Sequence, residues 1–369
     1  EIQKINLLLA LLLLSSWSYG QTEWRSPIDN TIFYLSGKDA STAVLWDFKM
    51  SLGRNSGRWT KIPVPSNWET EGFGYYTYGK DYKDYKSNPE IGSYRHHFSF
   101  SKKEDKRYFI VFQGAMTDTK VWLNGNQVGE KHQGGFMEFS YEITEYLKNG
   151  ENKLEVEVQK SSSNEGVQKS ERRGDYWMFG GIFRPVFIKE VPIDFIKYVA
   201  IDAQMTGGFD MRVFVDSKEK GLSLTAQIYD AQQKPLGKAF SSKLDSTVGH
   251  LTHSFKEINT WSHEEPHLYS VQVELKLNNK VLHTYSQKFG FRTFEVRDHD
   301  GFYLNGERIL LKGANMHSFR PKTGRALSNS DILGNFRLLQ DLNFNCVRAC
   351  HYPPDKYFLE LCDSLGMLV

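Results

Sequence analysis

Cysteine is scarce in this sequence: three residues among 369, all between Cys346 and Cys362. That excludes a disulfide-stapled scaffold, which needs paired cysteines spread along the chain. Cys346 and Cys350 fall on one face of one strand, so they read as buried thiols and not as a bridge. Nor do Cys346, Cys350, His351 and the distant Cys362 have the ligand spacing of a zinc site. Long apolar runs are also lacking. The longest, Ile5 to Leu14, is well short of the ~20 residues a spanning helix requires. An excess of one charge is missing too, with 46 basic against 44 acidic side chains, a formal +2 and no extended Lys/Arg block. No nucleic-acid partner is expected.

Aromatic residues, by contrast, are plentiful: 25 Phe, 19 Tyr and 8 Trp make up 14% of the chain. They favour β-structure and flat surfaces suited to sugar rings. At roughly 100 to 200 residues per domain, the length predicts two or three domains. Lys4, the apolar stretch after it and the small residues up to Gly20 have the form of a secretory signal over residues 1–20. The mature protein is then expected to be periplasmic or secreted, with no membrane attachment once the signal is cleaved.

From Trp24 to Glu190 strand follows strand. Tyr108 to Gln113 reads as buried, and Lys153 to Gln159 alternates as half-exposed. Between them Asn124-Gly125 marks a hairpin whose central positions both need positive φ. Residues 21–191 thus read as a β-sandwich. A second run of short alternating strands over 192–296, including Leu222 to Tyr229 and Leu268 to Leu277, predicts a compact immunoglobulin-like sandwich. Near Asp300 the pattern changes. A hairpin at Asn305-Gly306 leads into a buried strand, Ile309 to Gly313, then a helix opened by Ser328-x-x-Asp331 with Ile332, Phe336, Leu339 and Leu342 on one face. A strand at Phe344 to Ala349, a helix at Asp355 to Leu365 ended by Gly366, and a third strand start at Met367 complete 297–369. Short strand–helix–strand connections predict a parallel sheet. Periodicity leaves a closed barrel and an open sheet equally open.

Several blocks in one order carry a family resemblance: Pro65-Ser66-Asn67-Trp68, Val121-Trp122-Leu123-Asn124-Gly125, Asp175-Tyr176-Trp177, Gly181-Ile182-Phe183-Arg184, Gly290-Phe291-Arg292, Lys312 to His317, and Asn345-x-x-Arg348-x-x-His351-Tyr352-Pro353. Together they resemble glycoside hydrolase family 2, of the bacterial β-galactosidase type, which also includes β-glucuronidases and β-mannosidases. The resemblance implies a jelly-roll sugar-binding domain, an immunoglobulin-like domain and the first units of a (β/α)8 TIM barrel, and so favours the barrel. It implies a retaining exo-glycosidase acting on terminal β-D-galactose, with carbohydrate as partner and room for a homo-oligomer. The alternatives are a β-glucuronidase or β-mannosidase of the same family, or a non-catalytic carbohydrate-binding protein.

The resemblance places both catalytic glutamates on later barrel strands, beyond residue 369, so this stretch alone is expected to be inactive and neither Glu307 nor Glu360 takes the role. His351 matches a position that hydrogen-bonds sugar hydroxyls; the plainer alternative is a histidine capping the turn before Pro353. Arg348 would orient a catalytic carboxylate from inside the barrel, or form a structural ion pair. His317 would contact substrate, and Asn315 would hold the loop backbone beside it. Asp175 matches a carboxylate that reaches from the first domain to the sugar 6-hydroxyl and a sodium ion. Trp177 would stack on a sugar face or fill the sandwich core. The resemblance fixes no cofactor; Na+ and Mg2+ in the full-length enzyme stay open. The chain departs from β-galactosidases at Tyr75 to Lys80 and the insertion through Pro89, which would reshape the pocket.

Overall fold

A computed structural model describes residues 30–79, 90–174 and 176–369. The expected signal segment, Asp175 and the insertion from Lys80 to Pro89 lie outside the described residues. No helix among those described is long and apolar enough to cross a membrane.

Two antiparallel sheets form the first layer pair. In the four-stranded sheet, Lys106–Phe112 lies between Val186–Pro192 and Phe139–Glu142, with Thr31–Tyr34 outermost. The six-stranded sheet is centred on Ile91–Phe100 and Gly150–Gln159, which pair over ten residues. Alternation builds the core, since every second residue of Gly150–Gln159 points inward and Leu154, Val156 and Val158 are fully buried with Trp46, Phe48 and Trp68. Asn124 (φ 53°) and Gly125 (φ 85°) turn the predicted hairpin in the left-handed region that such turns require. Two short helices went unread in the sequence: a 3-10 turn, Ala40–Thr42, capped by Asp39, and an α-helix, Glu165–Glu171, capped by Asn164.

The second unit is a sandwich of three and four strands, the larger sheet ordered Pro235–Leu244, Leu222–Tyr229, Tyr269–Leu277 and Lys280–Phe289. Its core joins Leu224, Ile228, Val271 and Val273 to Phe209 and Phe291. Arg107 of the first unit binds Asp216 of the second at 3.0 Å.

After a three-stranded hairpin sheet, Gly313–Met316 and Cys346–Ala349 pair in parallel, and Leu368 adds one parallel bridge to Cys346. Helices Asn329–Asp341 and Lys356–Leu365 cover one face, burying Phe336, Phe358, Leu361 and Val347. Ser328 and Asp331 close the predicted capping box, and Gly366 ends the second helix at φ 73°. Three expectations need correction. The buried strand is not Ile309 to Gly313: pairing with Cys346–Ala349 selects Gly313–Met316, and Leu310 is 73% exposed in the connection. Asn315 therefore sits within the strand, not in the loop after it. Leu342 is the C-cap of its helix and is exposed, because the buried stripe ends at Leu339.

Candidate active site

In the two parallel strands, Ala314, Met316 and Val347 pack toward the helices. Alternation then sends Asn315 and Arg348, register partners, to the opposite face. Both are exposed, and the Arg348 guanidinium donates from Nη1 to Asn315 Oδ1 at 3.3 Å. Asn315 therefore holds a cation, in place of the loop backbone expected of it. Beyond the strand ends His317 and His351 stand ring to ring, 5.8 Å between centroids and 88° apart. Tyr352, buried, steadies this pair: its hydroxyl lies 3.1 Å from His317 Nδ1 and accepts from the Ser318 N–H at 3.0 Å. Desolvation lowers the His317 pKa, helped by the positive charges that face it from Arg325 and His351, which favours the neutral imidazole.

The first sandwich reaches across to these strand ends. Phe136 stacks on Tyr352 at 4.1 Å and 7°. Arg184 donates to Phe136 O and Pro353 O, each at 3.0 Å, tying the sandwich to the loop after His351. Met116, Phe136, Phe179, Phe183, Ala326 and Tyr352 form a shared apolar core between the two units. Next to it a cleft of about 220 Å³ is lined by Tyr78, Tyr176, Trp177, Phe179, His317, Phe319 and Arg325. Trp177 is 42% exposed and therefore not sandwich core. A two-residue strand, Trp177–Met178, pairs with Thr77–Tyr78 and holds it against Tyr76 and Tyr78, with ring centroids at 4.6 and 5.6 Å. Asp175, two residues earlier, lies outside the described residues.

Sequence reasoning missed Arg325. Its guanidinium sits among Tyr352, Tyr176 and Phe136 at 4.5, 5.0 and 5.3 Å. It is buried, and Nη1 has no hydrogen-bond partner among the described residues. Gly324 makes that placement feasible. Its φ is +62°, and an added Cβ would come within 2.7 Å of Asn67 Oδ1, the atom that accepts the Arg325 N–H. Nothing local announces this arrangement, since the contacts come from residues distant in sequence. The cysteines are free; burial pushes the Cys362 thiol up to about 12 and raises Cys346, so neither is a nucleophile at neutral pH.

Comparison with known proteins identifies the family of all three units. Residues 49–192 match the sugar binding domain of glycosyl hydrolases family 2, residues 193–292 match the family's central segment, and residues 294–369 match its TIM barrel domain. A β-galactosidase of Priestia megaterium is 31% identical over 341 residues, covering 85% of this chain and 32% of that protein. One from Streptococcus thermophilus is 32% identical, covering 84% of this chain and 31% of the relative. The crystal structure of a Bacteroides uniformis β-glucuronidase superposes with a TM-score of 0.74 at 24% identity, covering 92% of this chain and 41% of that one. The chain thus spans about a third of the length of the curated relatives it matches.

Proposed function

The chain belongs to glycosyl hydrolase family 2, and from that premise we propose that it supplies the sugar-binding side of a retaining exo-β-glycosidase that removes terminal β-D-galactose from oligo- and polysaccharides. The observation that carries this is the meeting of His317 and His351, at the carboxyl ends of adjacent parallel strands, with the aromatic cleft that the first sandwich contributes. A sugar face stacks on Trp177, while the two imidazoles bind its hydroxyls as the ring flattens toward an oxocarbenium-like state. Arg348, held by Asn315, positions a carboxylate that enters the same face.

Retaining hydrolysis needs two carboxyl groups about 5 Å apart. Glu307 lies in the outlying hairpin sheet and Glu360 on a covering helix, so neither joins the cluster. The pair belongs to barrel strands that these residues do not include. The 369-residue chain is therefore expected to bind galactose weakly and to hydrolyse no aryl β-galactoside. In saturation-transfer NMR, Trp177→Ala is expected to abolish the galactose signal. Unchanged binding in that variant overturns the site, and turnover by the purified chain overturns the need for further strands.

One observation favours a second reading, a β-glucuronidase. Nη1 of Arg325, which has no hydrogen-bond partner among the described residues, lies beside the cleft and suits a sugar carboxylate. Stronger binding of an aryl β-glucuronide than of the galactoside, lost in Arg325→Gln, selects this reading over the first.

A further inference from the structure

The face that carries Arg348 also brings together three metal-binding side chains. His317 follows one parallel strand; Cys350 and His351 follow the other. One ligand atom from each lies within 4.8 Å of the other two. We propose that His317, Cys350 and His351 form a binding site for a divalent zinc-type cation.

The chemistry of the donors argues for zinc. One thiolate and two imidazoles make a borderline-soft set that hard cations such as Mg2+ and Ca2+ do not favour. Three protein ligands with a fourth position open is the arrangement of an accessible zinc centre, not of a sealed structural one. Both histidines are exposed and Cys350 is buried, so the cation would sit on the thiolate with its outer side toward solvent. The surroundings suit ligation as well. His317 Nδ1 is engaged by the Tyr352 hydroxyl, which leaves Nε2 as the ligand atom. Tyr352 is itself fixed by the Phe136 stack and by Ser318 N–H, so the imidazole is oriented before a metal arrives. The spacing of Cys346, Cys350, His351 and Cys362 along the chain argues against zinc; Cys346 and Cys362 take no part here, and His317 from the other strand supplies the third ligand instead. Binding forms a sulfur–metal bond and releases the thiol proton to solvent. His317 also lines the cleft assigned above to the sugar, so metal and sugar would compete for it. The site itself stands on its own geometry, whatever sugar is bound.

Cobalt(II) titration of the full chain tests this without any activity readout. One equivalent is expected to give near-ultraviolet thiolate-to-cobalt charge transfer and visible bands of tetrahedral intensity, both removed by one equivalent of Zn2+. Cys350→Ser is expected to abolish the charge-transfer band, and His351→Ala to weaken Zn2+ binding at least tenfold. Cys346→Ser and Cys362→Ser are expected to leave both unchanged. Absence of the charge-transfer band in the unaltered chain, or its loss in Cys346→Ser or Cys362→Ser, overturns the site. Should Cys350→Ser fail to fold by circular dichroism, the exposed His351→Ala decides: undiminished zinc affinity there overturns the proposal.

Discussion

His283 is fully buried between the two sandwiches, and its Nδ1 accepts the Ile196 N–H at 3.0 Å. That bond requires a neutral ring. Burial, with Lys189 and Lys106 of the first sandwich nearby, lowers its pKa from 6.5 to about 4. A histidine depressed in the folded state stabilises fully above its unfolded pKa, and the contribution drains away as pH falls toward the folded value. From pH 8 to pH 5 the loss is roughly 2 kcal/mol. His96, stacked on Trp46 and likewise lowered to about 4, titrates in the same window. His283→Asn keeps an acceptor for Ile196 but no titrating ring. Its thermal midpoint is expected to fall less between pH 8 and pH 5 than that of the unaltered chain, and an equal fall would remove His283 from the account. At this scale legibility divided by distance. The positive φ of Asn124 and Gly125 follows from the residues themselves. The aromatic cage of Arg325 and the buried Lys160, bound to Glu69 at 2.8 Å and Glu90 at 2.9 Å, depend on partners far along the chain.

Among elements, the helix Asn329–Asp341 was the most legible, because its start is written in side chains. Ser328 accepts from Asp331 N–H, and Asp331 in turn accepts from Ser328 N–H while Arg320 holds it at 3.1 Å. Ser328→Ala removes one side of this box and is expected to cost about 1 kcal/mol. Faster amide exchange in the first turn of that helix, with Lys356–Leu365 unchanged, is the measurement that checks it. The strand before it was misplaced for the opposite reason. Ile309 to Leu311 is the most apolar stretch between Gly306 and His317, and apolar content points to a buried strand. Parallel pairing is a tertiary choice, however, and it falls on Gly313–Met316, where the polar Asn315 meets Arg348 across the ladder. Periodicity registers the apolar half of such a strand and says nothing of its polar partner.

In the whole molecule the first sandwich is joined to the loop after the second parallel strand through the Phe136–Tyr352 stack and the Arg184 hydrogen bond to Pro353 O. Phe136→Ala is expected to cost about 3 kcal/mol, concentrated at that junction. Hydrogen exchange is expected to accelerate in Gly313–Met316 and Cys346–Ala349 but not in Lys106–Phe112; uniform acceleration would mean that Phe136 serves the sandwich core instead. The fold class was legible because each unit keeps its own period, alternating strands first and helix–strand alternation later. The meeting of units was not, since Phe136 and Tyr352 carry no local mark of their stack. The two-residue ladder that presents Trp177 lies outside both large sheets, and its ring rests on Tyr76 and Tyr78 without entering any core. Replacing the exposed Trp177 is expected to cost the fold little, whereas His317 is held by the hydroxyl of the buried Tyr352. On the proposed function, descendants of such a chain can therefore change sugar preference at Trp177 while keeping the His317–His351 pair.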